Sequence, residues 1–355
     1  MEKIKTLLAD DSALIRRAIS RVITSDQRFD EPDTASDGVE AVRILNEKKY
    51  DVVVLDIEMP KQDGIETLKK IMAMEVPVPV VMFSSLTQKN TTTSVQCLEL
   101  GAIDVVGKPS QVLGTSLDVL KDELLQKLYN ASKVPTSKLK QLAKISGTLG
   151  KHETGEVRVI HKTPEKYTAE AVLIGISTGG PQTLQSLLTM MPENLNVGVV
   201  IAQHMPKGFT KPMAERLDKY CCFDVKEAED GDLIKPGRII IGKAGDHITF
   251  NKRGEHYSIS LTRQPPKLYY PSVDVMFESA SSVFTQKVVA VVMTGMGNDG
   301  TMGARPLKNK GKHTIIAQDE ESSVIYGMPK SIVENKLADK ISSLDDMIKT
   351  IIESL

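Results

Sequence analysis

The sequence predicts an α/β protein of two domains, each built on a mostly parallel sheet. Three observations carry this expectation. At about 150 residues per domain, 355 residues suggest two. Both ends of the chain alternate short apolar runs with runs of helical period, the mark of βαβ units. Charge also divides the chain: residues 1–130 hold 16 basic and 21 acidic side chains, 131–168 hold 8 and 3, and 169–355 hold 21 and 22. The middle stretch is rich in Lys, Ser, Thr and Gly and has no sustained period, so it reads as a linker with room for a short helix near 137–145.

In the first domain, residues 4–8 form an apolar run ending in Asp10-Asp11. Residues 13–23 have helical spacing, with Leu14, Ala18 and Val22 on one face. A buried-type strand over 52–55 ends in Asp56, and a helix follows over 64–74. The strand over 78–83 ends in Ser84-Ser85. A helix over 91–100 is closed by Gly101, and a strand over 103–106 runs into Lys108-Pro109, where a cis bond would suit a turn. The last helix covers 113–128. In the second domain the strands are 171–175, 197–202, 288–293 and 314–317, with helices over 183–190 and 212–221. Residues 239–241, 248–250 and 257–261, separated by Gly-rich turns, read as antiparallel hairpin material inserted into this layer. In such folds the site forms beyond the carboxyl ends of the strands.

Composition removes several function classes. Lys and Arg number 45 against 46 Asp and Glu, so the net charge of −1 gives no basic field for nucleic acid. No apolar stretch approaches the 18 residues of a membrane span, so no membrane insertion is expected. The charged start, MEKIKTLLADD, leaves no apolar segment for a signal peptide, and a cytoplasmic location is expected. Cys97, Cys221 and Cys222 form no CxxC and read as buried or partly buried thiols without a bridge.

Four strand ends of the first domain carry chemistry: Asp10-Asp11, Asp56, Ser84 and Lys108. The fold would gather three carboxylates and one ammonium in one pocket. Like charges that close raise each other's pKa unless a cation joins them. A hard ion such as Mg²⁺ relieves the repulsion, and a carboxylate beside Mg²⁺ and Lys suits attack on a phosphoryl group. Capping of the following helices is the plain alternative for any single Asp, but it explains neither the Lys nor the adjacent Asp pair. The segments LLADDSALIRR, DVVVLDIEMPKQDGIE, VVMFSSLT and GAIDVVGKPS resemble the receiver domain of two-component response regulators. That resemblance implies a flavodoxin-like (βα)5 fold over 1–128. It implies Asp56 as phospho-acceptor, and Mg²⁺ held by Asp10, Asp11, Asp56 and the Glu58 carbonyl. It also implies Ser84 and Lys108 as switch residues, with Val105 standing where many receivers have Tyr or Phe.

In the second domain, Gly175-Ile176-Ser177-Thr178-Gly179 fits G-x-S-x-G between a strand and a helix, a turn that exposes a serine oxygen. A phosphate loop is the alternative, but GISTGGP lacks the P-loop Lys. A serine nucleophile needs a base and the base needs an orienting carboxylate. His204 follows the 197–202 strand and Asp299 follows the 288–293 strand. The other histidines are weaker choices: His152 and His161 lie in the linker, His247 and His256 flank the hairpin, and His313 is expected to face solvent.

The runs LIGISTGGP, IAQHMPKGFT, AERLD, KEAEDGD, PSVDVMFES, VVMTGMGNDG and IIAQDEESSVIYGMP resemble the catalytic domain of chemotaxis protein-glutamate methylesterases. By that resemblance 1–128 is a receiver, 129–168 a linker and 169–355 a doubly wound catalytic domain. Ser177, His204 and Asp299 would be its triad, with oxyanion donors from the backbone near His204 and Met296. The substrates would be methylated chemoreceptors, with glutamine deamidation as related chemistry, and the esterase step would need no cofactor. A chemotaxis histidine kinase would be the phosphodonor. The resting receiver would cover the triad until Asp56 is phosphorylated.

Overall fold

Thr6–Ala9 (β1) pairs in parallel with Asp33–Ala35 (β2) on one side and Val52–Asp56 (β3) on the other. Val80–Ser84 (β4) and Asp104–Gly107 (β5) extend the sheet to the order β2-β1-β3-β4-β5. The order reverses between β1 and β3, so their carboxyl ends open a crevice there. A computed structural model describes residues 2–85, 87–108, 115–140 and 168–355. The chain divides into two compact units, Met1–Gly155 and Glu156–Leu355. The linker histidines His152 and His161 and the Lys108–Pro109 bond lie outside the described residues.

Helices Ala13–Thr24 (α1), Gly38–Glu47 (α2), Gly64–Met72 (α3), Gln88–Glu99 (α4) and Thr115–Ala131 (α5) complete the first unit. Strand β2 and helix α2 escape a reading by apolar runs, because β2 is three residues long and two of them are exposed. Helix α5 runs three residues beyond the expected end at 128. The buried stripe of α1 also differs from expectation. Ile19 and Ile23 are buried, whereas Leu14 is 60% exposed. Two stripes one residue apart have the same period, and period alone does not say which faces the sheet.

The second unit holds a seven-stranded sheet in the order β14-β13-β12-β6-β7-β9-β8, parallel at every pairing. Its strands are Ala169–Ile176 (β6), Gly198–Gln203 (β7), Asp224–Glu227 (β8), Arg238–Ile241 (β9), Lys287–Val292 (β12), Thr314–Gln318 (β13) and Lys340–Ser342 (β14). His247–Arg253 (β10) and His256–Thr262 (β11) form a separate antiparallel hairpin. Residues 239–241, expected as hairpin material, instead lie in the parallel sheet beside β7. The run Ile239-Ile240-Ile241 is almost fully buried, which suits a strand covered on both faces. Helices Gly180–Thr189 (α6), Thr210–Leu217 (α7), Val273–Val283 (α8), Thr301–Asn309 (α9), Met328–Glu334 (α10) and Leu344–Ile352 (α11) link the strands. Among the described residues no helix is long and apolar enough to cross a membrane.

His313, expected at the surface, is only 6% exposed, and its Nδ1 accepts the Val288 N–H at 3.1 Å. The nearby Lys312 and Lys310 do not bring it outward; their ammonium groups turn to backbone carbonyls of residues 281–285. Burial, with those two cations, pulls the imidazole pKa down to about 4. The folded state therefore holds His313 neutral at a pH where the unfolded chain, near 6.5, takes a proton. Stability from this site is full above about pH 6.5 and declines as the pH falls toward 4. His313→Asn retains an acceptor for Val288 and removes the titration. Urea unfolding at stepped pH should show the parent losing stability faster than the variant between pH 7 and 4. Parallel pH profiles would refute this account. Cys222 is a smaller correction: it is exposed, while Cys97 is buried and Cys221 half-buried, all three as free thiols.

Candidate active site and phosphoryl-acceptor site

The first cluster forms where β1, β3 and β5 end. Asp10 and Asp56 are buried, and Asp11 is exposed. One oxygen from each of the three carboxylates lies within 4.8 Å of the others. Capping is not their task. The side chains that cap α1, α2 and α3 are Ser12, Asp37 and Asp63. Lys108 Nζ lies 2.7 Å from both Asp10 and Asp56. Burial raises the Asp56 carboxyl to about 6 against the pull of Lys108, and the Asp10 charge adds to the rise. Burial works against the Lys108 ammonium, yet Asp56 and Asp10 outweigh it and raise its pKa. Ser84, the last residue of β4, is buried and sits one strand from Asp56. Its carbonyl accepts the Lys108 N–H at 2.6 Å, which fixes the turn that turns the lysine inward. Three hard carboxylate oxygens at this spacing fit a small divalent cation.

The second cluster lies at the switch point of the larger sheet, where β7 and β12 flank β6 on opposite sides. Register pairs Ile176 with Gln203, so Ser177 and His204 leave adjacent strands side by side. Adjacent strands lie about 4.8 Å apart. Gln203 locks the pair: its Nε2 donates to the carbonyls of Ser177 (3.0 Å) and His204 (2.9 Å). Gly179, at φ 77°, makes the sharp turn into α6 that G-x-S-x-G predicts. Gly295 comes so close to Ser177 that a Cβ there would lie 2.7 Å from Ser177 Cβ. The loop carrying Met296 is thereby laid against Ser177.

His204 Nε2 lies 2.8 Å from Asp299 Oδ2. Asp299 is an anion held by many donors. Its Oδ1 accepts from Ser272 Oγ (2.9 Å), Asp274 N (3.0 Å) and Gly300 N (3.1 Å), and Oδ2 accepts also from Val273 N (2.7 Å). Burial would push this carboxyl up. The His204 bond and charge, with the α8 amides, outweigh burial and hold it well below the usual range. Nε2 faces that carboxylate as the donor, and in the neutral imidazole the lone pair then falls on Nδ1. That Nδ1 is buried and has no hydrogen-bond partner among the described residues. An unpartnered imidazole nitrogen beside a strand-end serine is the arrangement that a general base requires.

One expectation needs correcting. The His204 N–H already donates to the Ile176 carbonyl at 3.0 Å, so it is not a free oxyanion donor. The requirement for sheet pairing claims it first. Sequence reasoning also missed the groups that frame the histidine. Tyr269 stacks on His204 with ring centroids 4.3 Å apart. Tyr270 stacks likewise on His247, whose Nδ1 accepts the Ser272 N–H. Asp274 accepts from Gly300 N and Gly303 N, so the start of α9 gives amides to a carboxylate of α8, while α8 gives amides to Asp299 just before α9. The only advance sign was Ser272, a serine of helix-capping type just before an apolar run.

Fold and site together define a hydrolase joined to a receiver. Comparison with known proteins agrees. Residues 172–351 match the family described as CheB methylesterase, and residues 6–114 match the response regulator receiver domain. A protein of Halalkalibacterium halodurans, named protein-glutamate methylesterase/protein-glutamine glutaminase, is 39% identical over 351 residues, covering 99% of this chain and 98% of that one. A Pyrococcus abyssi protein of the same name is 39% identical over 355 residues, covering 99% and 94%. The crystal structure of the Thermotoga maritima CheB methylesterase catalytic domain superposes with a TM-score of 0.51 at 37% identity, covering 53% of this chain and all of that one. The chain belongs to the CheB methylesterase family.

Proposed function

We propose that this protein hydrolyses glutamyl methyl esters on chemoreceptors by an acyl-enzyme mechanism, under control of phosphorylation at Asp56. The observation that carries the mechanism is the unpartnered Nδ1 of a histidine whose Nε2 is tied to a buried, multiply bonded aspartate. His204 Nδ1 takes the proton of Ser177 as its oxygen attacks the ester carbonyl. Asp299 stabilises the imidazolium that forms. The tetrahedral oxyanion is met by backbone N–H groups of the loop around Met296, laid against Ser177 by the close approach of Gly295. Such a donor contributes about 3 kcal/mol. His204 returns its proton to the departing methanol, and water then cleaves the acyl-serine by the same relay. A side-chain amide undergoes the same acyl transfer with ammonia leaving, so glutamine deamidation is within reach of these groups.

In this reading 1–128 is the receiver, 129–168 the linker and 169–355 the catalytic domain. A chemotaxis histidine kinase supplies the phosphoryl group to Asp56. Asp10, Asp11, Asp56 and the Glu58 carbonyl would hold Mg²⁺, which neutralises charge on the transferring oxygens. Lys108 shares that task, and the Ser84 hydroxyl bonds the new phosphoryl group. The reactions need only cytoplasmic partners.

At rest the receiver restrains the esterase, and phosphorylation lifts the restraint. Moving the active fraction from 1:99 to 1:1 needs about 2.7 kcal/mol, and gives a rate rise of about fiftyfold. Methanol release from methylated receptor, measured with and without acetyl phosphate and Mg²⁺, tests this. The parent chain should accelerate and Asp56→Asn should not respond. An unresponsive parent would remove the regulatory claim. A parent that releases no methanol in either condition would remove the esterase claim.

A further inference from the structure

Exposed cations and apolar tips that the fold does not use flank the segments that hold Ser177, His204 and Asp299. Lys267 and Leu268 immediately precede Tyr269, the ring stacked on His204. Leu268 is 81% exposed. The backbone N–H of Lys267 donates to the Tyr270 hydroxyl at 3.3 Å, and Tyr270 stacks on His247, so this strap is pinned at both tyrosines. On the β7 side, Lys207 follows His204 by three residues and lies over Gly245, whose N–H bonds the Tyr270 carbonyl at 3.2 Å. From the other side, Met302 in the first turn of α9 is 56% exposed, three residues beyond Asp299. Lys207, Lys243 and Lys267 are exposed and form no ion pair among the described residues. Asp246, a carboxylate on the Lys243 side, is engaged by Arg263 at 3.1 Å.

Solvated lysines and a bare leucine tip contribute little to stability, so their gathering beside these segments calls for a partner. We propose that this rim docks the protein substrate and reads carboxylates flanking the reacting ester, with Lys267 and Lys207 as the cations and Leu268 and Met302 as apolar contacts. The inference rests on the glutamyl ester reading above. Charge complementarity identifies the partner. Each hydrolysis turns an ester or amide into a glutamate, so a segment with several sites carries carboxylates beside the groups still to be cleaved. An acidic, amphipathic segment therefore fits a rim of unpaired lysines set beside apolar tips. Charged rims act chiefly on encounter and weaken with salt.

The test uses the full chain with acetyl phosphate and three probes. These are a peptide with one γ-glutamyl methyl ester flanked by glutamates, the same peptide flanked by serines, and a small N-acetylglutamate γ-methyl ester. Lys267→Glu should lower kcat/KM on the Glu-flanked peptide about tenfold at low salt, mainly through KM. It should leave the Ser-flanked peptide within twofold and the small ester unchanged. Leu268→Ser should weaken both peptides and spare the small ester. An equal loss on all three probes, or no loss on any, would overturn the proposal. If the parent chain cleaves none of the esters, the glutamyl ester reading fails and this inference falls with it.

Discussion

Ser177→Ala should lower methanol release from a protein glutamyl ester by about 10⁴- to 10⁶-fold, because the members of such a unit fail together. The change deletes one oxygen and leaves its surroundings in place. The Ser177 carbonyl still accepts from Gln203 and Gly180, and its N–H still reaches Thr294 at 2.9 Å. The variant should therefore unfold at the parent temperature. Phosphorylation by acetyl phosphate should persist, since Asp56 belongs to the other compact unit. Combining Ser177→Ala with His204→Gln should cost little more than either alone, because a base without a nucleophile has no work to do. Retention of more than a tenth of the parent rate would place the nucleophile elsewhere, with Ser272, bonded to Asp299, the first alternative to examine.

The candidate groups at the strand ends were readable because each stands at the end of a buried apolar run. Val52–Asp56 and Gly198–Gln203 are strands that the pattern finds directly, with Asp56 closing the first and His204 following the second. Groups that work through other elements were not readable. Tyr269 reaches His204 from a strap far along the chain, and nothing in YYP announces a stacking partner. Asp274 looks like an ordinary first-turn acid of α8, yet its carboxylate serves α9. Period also failed to choose between the two stripes of α1, since only the sheet decides which stripe is covered. His313 was misplaced for a related reason: the two lysines beside it suggest solvent, but their chains reach over to backbone carbonyls and leave the ring inside.

Asp299→Asn should lower turnover by about 10⁴-fold, as loss of the orienting carboxylate does in comparable triads. The donors around Asp299 explain why an isosteric amide fails. Ser272 Oγ, the amides of Val273, Asp274 and Gly300, and His204 Nε2–H all point at its two oxygens. An NH₂ group in either position faces donors with a donor. Placed at Oδ2, it meets Val273 N–H and His204; the imidazole escapes only by moving its proton to Nδ1, the nitrogen that must act as base. Stability should fall as well, by about 1–3 kcal/mol for each buried donor left unmatched. The pH dependence gives an independent reading. The folded carboxyl lies well below its unfolded value near 3.8, so its contribution is fully present above that value and fades as the pH falls through the folded pKa. The difference in unfolding free energy between parent and variant should thus shrink as the pH falls below about 4. A variant with parental turnover, or a difference that persists undiminished in strong acid, would mean that Asp299 is not the charged partner of His204.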